Sequence, residues 1–81
     1  MIYGILLNIP EKHVSKYEDV IRRTIGEGIA KGYILSFTEG RYKGDVAFVM
    51  LARSRRAVEK VYEQLKEYPI YVKIIEIQGK E

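Results

Sequence analysis

The 81-residue chain reads as a single α+β domain spanning residues 1–81. Its predicted fold is a ferredoxin-like βαββαβ two-layer sandwich, with an antiparallel sheet in the order 4-1-3-2 and both helices on one face. Two observations predict it. Short runs rich in β-branched and large apolar residues alternate with longer stretches of helical periodicity. The second and third runs are joined only by the glycine-flanked link "EGRYKG", so they pair as a hairpin, while the links that carry helices need right-handed crossovers.

"IYGILLNI" (2–9) is a strand that ends at Pro10. Residues 11–31 read as a helix: Pro10 suits a first helical position, and Glu11 suits the positive end of the helix dipole. Val14, Tyr17, Ile21, Ile25 and Gly28/Ile29 recur at steps of three and four and form one buried stripe. Glu18–Arg22, Asp19–Arg23 and Glu27–Lys31 are acid-first pairs one turn apart. Gly26 and Gly28 weaken the last turns, and Gly32 is the expected left-handed cap. "YILSFT" (33–38) is the second strand, "EGRYKG" (39–44) the loop and "DVAFVMLA" (45–52) the third strand. Ser54 caps a second helix with the stripe Ala57, Val58, Val61, Tyr62, Leu65 and Tyr68, ended by Pro69. "IYVKIIEI" (70–77) is the fourth strand, and the tail "QGKE" is polar.

The two central strands are apolar on both sides. In the third, Ala47, Val49 and Leu51 alternate with Val46, Phe48 and Met50; in the first, Tyr3, Ile5, Leu7 and Ile9 alternate with Ile2 and Leu6. With helices on only one face, a sheet that met water on the other would alternate apolar and polar. An uncovered apolar patch of this kind predicts a homodimer or higher oligomer packed through the sheet, with Ile2, Leu6, Val46, Phe48 and Met50 as the expected interface.

Composition narrows the chemistry. The chain has no cysteine and one histidine, His13, which excludes disulfides and a histidine- or thiolate-based metal cluster. His13 beside Glu11 has no partner nucleophile in the pattern, so no catalytic residue is assigned, no cofactor is expected and the chain reads as a non-enzyme. No apolar run reaches the length of a membrane span, and the start lacks a basic leader, so a soluble cytoplasmic protein is expected. Net charge is +3. Asn and Gln number only three (Asn8, Gln64, Gln78), a bias shared with thermophile proteins.

The basic residues fall into two clusters at opposite ends of the sheet. Arg53, Ser54, Arg55 and Arg56 surround a helix start and form a candidate site for a small anionic ligand. Arg41, Tyr42 and Lys43, together with Phe48, form a candidate nucleic-acid surface.

Two resemblances bear on these clusters. "LLNIP" (6–10) and "AFVML" (47–51) resemble the first- and third-strand signatures of the RNA recognition motif. That resemblance implies base stacking on the sheet. Phe48 takes a ring position, while Ile5, Val46 and Leu51 stand where the family has other aromatic positions. The second half of the chain, residues 41–77, is similar in rhythm to ACT domains and to the Lrp/AsnC effector-binding domain. That likeness implies dimers that bind small ligands at subunit interfaces, and it rests on fold-level rhythm without a specific motif. The leading expectation is a self-associating assembly or ligand-sensing regulatory module, with nucleic-acid binding as the alternative.

Overall fold

A computed structural model describes residues 2–77. The chain runs β1 (Ile2–Ile9), α1 (Glu11–Ala30), β2 (Ile34–Tyr42), β3 (Asp45–Ala52), α2 (Arg55–Leu65) and β4 (Tyr71–Ile77). The sheet order is β2-β3-β1-β4, with every neighbouring pair antiparallel. This is the ferredoxin-like sandwich that the sequence predicts. The tail "QGKE" lies outside the described residues.

Local chemistry sets the element ends. Pro10 sits at the helix entry with φ −59°, one position earlier than expected, and offers no side-chain cap. Asp45 does that work from across the sheet: it accepts the Glu11 N–H at 2.8 Å and the Asn8 side-chain amide at 3.3 Å. The α1 exit is a Schellman motif. Gly32 takes φ +85°, its N–H reaches the Ile29 carbonyl at 3.1 Å, and the Tyr33 N–H reaches Gly28 at 2.8 Å. Gly28 does not fray the helix. A Cβ there would lie 2.5 Å from Cδ1 of the buried Ile34, so glycine lets α1 approach β2 closely.

The β2–β3 hairpin is tighter than expected. Lys43 and Gly44 have φ of 50° and 90°, the signature of a two-residue turn. Glu39–Tyr42 therefore belong to β2 and not to a loop. At the other end of the sheet, the Ser54 hydroxyl accepts the Ala57 N–H at 3.2 Å and caps α2 as predicted. The helix ends at Leu65, before Pro69, and Tyr68 packs on the core from the turn that follows.

The register decides which side chains share a face. Directly paired residues point the same way, and β1 pairs with β3 as Ile5↔Met50, Leu7↔Phe48 and Ile9↔Val46. All six are buried under the helices with Ile21, Ile25, Val61 and Leu65. The expected interface set thus mixed two faces: Val46, Phe48 and Met50 belong to the core, each with 0% exposure, while Ile2 and Leu6 lie on the open face. The true open-face partners in β3 are Ala47, Val49 and Leu51. Phe48 is likewise closed to any stacking base, which removes the ring that the RNA-recognition-motif resemblance supplied.

Candidate functional site

The open sheet face is built by alternation on four strands. β1 contributes Ile2, Gly4, Leu6 and Asn8, with Ala47, Val49 and Leu51 beside them on β3 and Tyr71, Lys73, Ile75 and Ile77 on β4. β2 adds only Ser36, Thr38, Gly40 and Tyr42. The apolar band therefore covers β4, β1 and β3, and β2 forms a polar margin. Ile2, Val49, Ile75 and Ile77 are 38–45% exposed, and no element of the described chain lies over them. A recess of about 540 Å³ lies at its β1–β4 side, lined by Leu6, Asn8, Tyr71, Val72 and Lys73.

The helix-covered face is unevenly covered. α1 lies over β2, β3 and β1, α2 lies over β1 and β3, and neither packs closely on β4. The gap is a groove of about 340 Å³ between α2 and β4. Val58, Tyr62, Tyr3 and Ile74 form its apolar lining, and Arg55, Glu59, Glu63 and Glu76 form its polar lining. The helix supplies Arg55, Val58/Glu59 and Tyr62/Glu63 at three- and four-residue steps, so one stripe of α2 faces the groove. Arg55 lies 5.9 Å above the Tyr3 ring and 3.5 Å from Glu76. Glu63 pairs with Lys66 at 3.1 Å, a hydrogen bond that raises the Lys66 pKa above its ordinary value.

Three of the four predicted anion residues share a recess, and the fourth faces elsewhere. Arg53, Ser54 and Arg56 line a recess of about 340 Å³ with Gly32, Tyr33 and Lys60, whose ammonium lies 5.3 Å from the Tyr33 ring. Arg55 instead lines the α2–β4 groove. Lys60 and Tyr33 carry no signal for this recess in the sequence, because only the fold brings the end of α1 beside the α2 stripe.

The hairpin cluster is also divided. Arg41 and Tyr42 point to opposite sides of β2. Arg41 pairs with Glu18 and, at 3.6 Å, with Glu39. Arg22 completes this network, with Glu18 at 2.8 Å, Glu39 at 2.7 Å and Asp19 at 3.6 Å. Asp19 thus meets Arg22 and not the expected Arg23. Hydrogen bonds from Arg22 and Arg41 hold the Glu18 carboxyl below its ordinary pKa, and those to Glu39 and Glu18 hold Arg22 further above its own. Only Tyr42, 70% exposed, and Lys43 above its ring at 5.3 Å remain on the solvent side. His13 lies edge-on to Tyr17 at 5.9 Å, outside the α2–β4 groove and the two recesses above.

Fold and site together define a small ferredoxin-like α/β module. No protein-family model matches the chain. It belongs to the family of the uncharacterized protein MJ1462 of Methanocaldococcus jannaschii, to which it is 84% identical over 80 residues, covering 99% of this chain and 96% of that one. That relative comes from a thermophile, in keeping with the scarcity of Asn and Gln. Among solved structures, Rv0793 from Mycobacterium tuberculosis superposes with TM-score 0.71 at 12% identity, covering 99% of this chain and 98% of that one. TM1266 from Thermotoga maritima gives 0.73 at 9% identity, covering 91% and 92%. A Caulobacter crescentus protein provisionally named as an antibiotic biosynthesis monooxygenase gives 0.64 at 11%, covering 96% and 91%. At such identities these likenesses show the fold alone, and the activity in that name is said of that protein.

Proposed function

We propose that the chain is a self-associating assembly or ligand-sensing module, not an enzyme, and that two copies pack through their open sheet faces. The apolar band across β4, β1 and β3 carries this reading. A sheet of this kind left in water exposes four large aliphatic side chains on one face with a polar margin beside them, the pattern of an interaction surface. Burying what remains exposed of Ile2, Val49, Ile75 and Ile77 contributes about 1 kcal/mol each, and a two-fold interface counts each residue twice. That is on the order of 8 kcal/mol before Leu6, Leu51 and Ala47 are added, against an association cost of about 4–15 kcal/mol. The polar margin on β2 offsets the two sheets toward β4.

Light scattering coupled to size exclusion tests this. The native chain is expected at dimer mass or above. Val49→Asp adds a charge at an exposed position, so the fold survives while the mass falls to that of a monomer. A native monomer, or a Val49→Asp chain that stays dimeric, overturns the reading. Salt-sensitive binding of single-stranded RNA by a native monomer would instead favour the surface around Tyr42 and Lys43.

A further inference from the structure

We propose that the groove between α2 and β4 binds a small organic cation, an ammonium carried on an aromatic or short aliphatic body. This deepens the ligand-sensing part of the reading above and is independent of its dimer part, since the groove and the open face lie on opposite sides of the sheet.

The apolar walls come first. Tyr62 and Ile74 remain 42% and 44% exposed although both lie on the sheet side that the helices cover. With Val58 and Tyr3 they line about 340 Å³, room for one ring and a short chain. The charges then choose the ligand's sign: Glu59, Glu63 and Glu76 surround the groove against a single guanidinium, Arg55. Lys66 occupies part of the Glu63 carboxylate, while Glu59 has no ion pair among the described residues.

Arg55 shows where the ligand's charge goes. Its guanidinium sits over the Tyr3 ring and beside Glu76, a ring face plus a carboxylate that suits any positive group. The hold is loose: the contact to Glu76 is 3.5 Å and the two side chains are 69% and 49% exposed, so the pair contributes little to stability. An ammonium from solution takes the same position, lays its body on Tyr62 and Ile74, and releases Arg55 to water. An anion of the same shape meets the carboxylates instead.

Tryptamine and indole-3-acetate, similar in body and opposite in charge, are the probes. Each is titrated into the native chain and followed by amide NMR shifts. Tryptamine is expected to move signals of Tyr3, Tyr62 and Ile74, less so as salt is raised, and indole-3-acetate to move none of them. Arg55→Gln removes the internal competitor and is expected to tighten tryptamine about two- to fivefold, while Glu76→Gln weakens it by a similar factor. The same spectra report that each variant is folded. Tryptamine leaving these signals unmoved, indole-3-acetate binding as well as tryptamine, or Arg55→Gln weakening tryptamine would each overturn the proposal. The Val49→Asp chain keeps this binding even as a monomer, so loss of the dimer and loss of the site read out separately.

Discussion

The two halves of the helix-covered face use their charges differently. Over β2, α1 closes the layer: Arg22 reaches Glu39 with two hydrogen bonds, at 3.2 and 2.7 Å, and Glu18 joins Arg22 and Arg41 across the same seam. Phe48 lies beneath, with the Arg22 guanidinium 5.8 Å from its ring and Phe37 6.1 Å away. Over β4, α2 stops short, and Tyr62, Ile74 and the carboxylates around them border open space. Acids and bases spent on one another hold a seam together, whereas acids left over beside an apolar wall are free to meet something else.

The largest test of this contrast compares Phe48→Ala with Ile74→Ala. Phe48 is fully buried, so truncation is expected to cost about 3–5 kcal/mol in urea unfolding. Ile74 is 44% exposed with space beside it, and its loss is expected to cost under about 1 kcal/mol. Similar costs at the two sites would mean that the groove is closed in solution.

A mid-sized test uses two glycines of α1. Gly28→Ala forces a methyl to within 2.5 Å of Ile34 Cδ1, which has little room to move at 3% exposure. Overpacking costs about 1–3 kcal/mol and outweighs the roughly 1 kcal/mol gained in helix propensity. At Gly26 nothing lies within 4 Å, so Gly26→Ala is expected to raise the melting temperature while Gly28→Ala lowers it. Shifts of the same sign would show that α1 does not need its close approach to β2.

Much of this was legible in the sequence, and what was not has a physical reason. Pro10, Gly32, Ser54 and the short hairpin link punctuate the chain, so element order and sheet order followed from them. The faces of β3 did not follow. "DVAFVMLA" is apolar at almost every position, and a period of two carries no information when both phases are greasy. Only pairing with β1 puts Phe48 inward and Val49 outward. The α2–β4 groove draws on Tyr3, the α2 stripe and alternate residues of β4, which are distant in sequence. Its one available signal was Arg55, Glu59, Tyr62 and Glu63 recurring on a single helix face beside an apolar stripe that needed no fourth side.

The smallest effect tests the seam itself, through pH. Glu18 has its carboxyl held below the ordinary value of 4.5, first by its hydrogen bond to Arg22 and then by that to Arg41. A carboxyl whose pKa is lower in the folded chain than in the unfolded one stabilises the fold when ionised. That contribution is complete above the unfolded value and is lost as pH falls toward and through the folded one. At pH 7 Glu18→Gln should therefore melt below the native chain, by a small margin because the network is only partly buried and water still reaches its arginines. Between pH 7 and about 5.5 the margin should hold, since both states keep the carboxylate ionised. Below about 4.5 it should shrink as the native Glu18 takes up its proton and comes to resemble the variant. Glu63, on the groove side, pairs among the described residues only with Lys66 on its own helix, so Glu63→Gln should show a smaller margin at pH 7. A Glu18→Gln margin unchanged between pH 7 and pH 3 would mean that the Glu18 charge does not hold α1 to β2, and the distinction between a sealed half and an open half would rest on apolar packing alone.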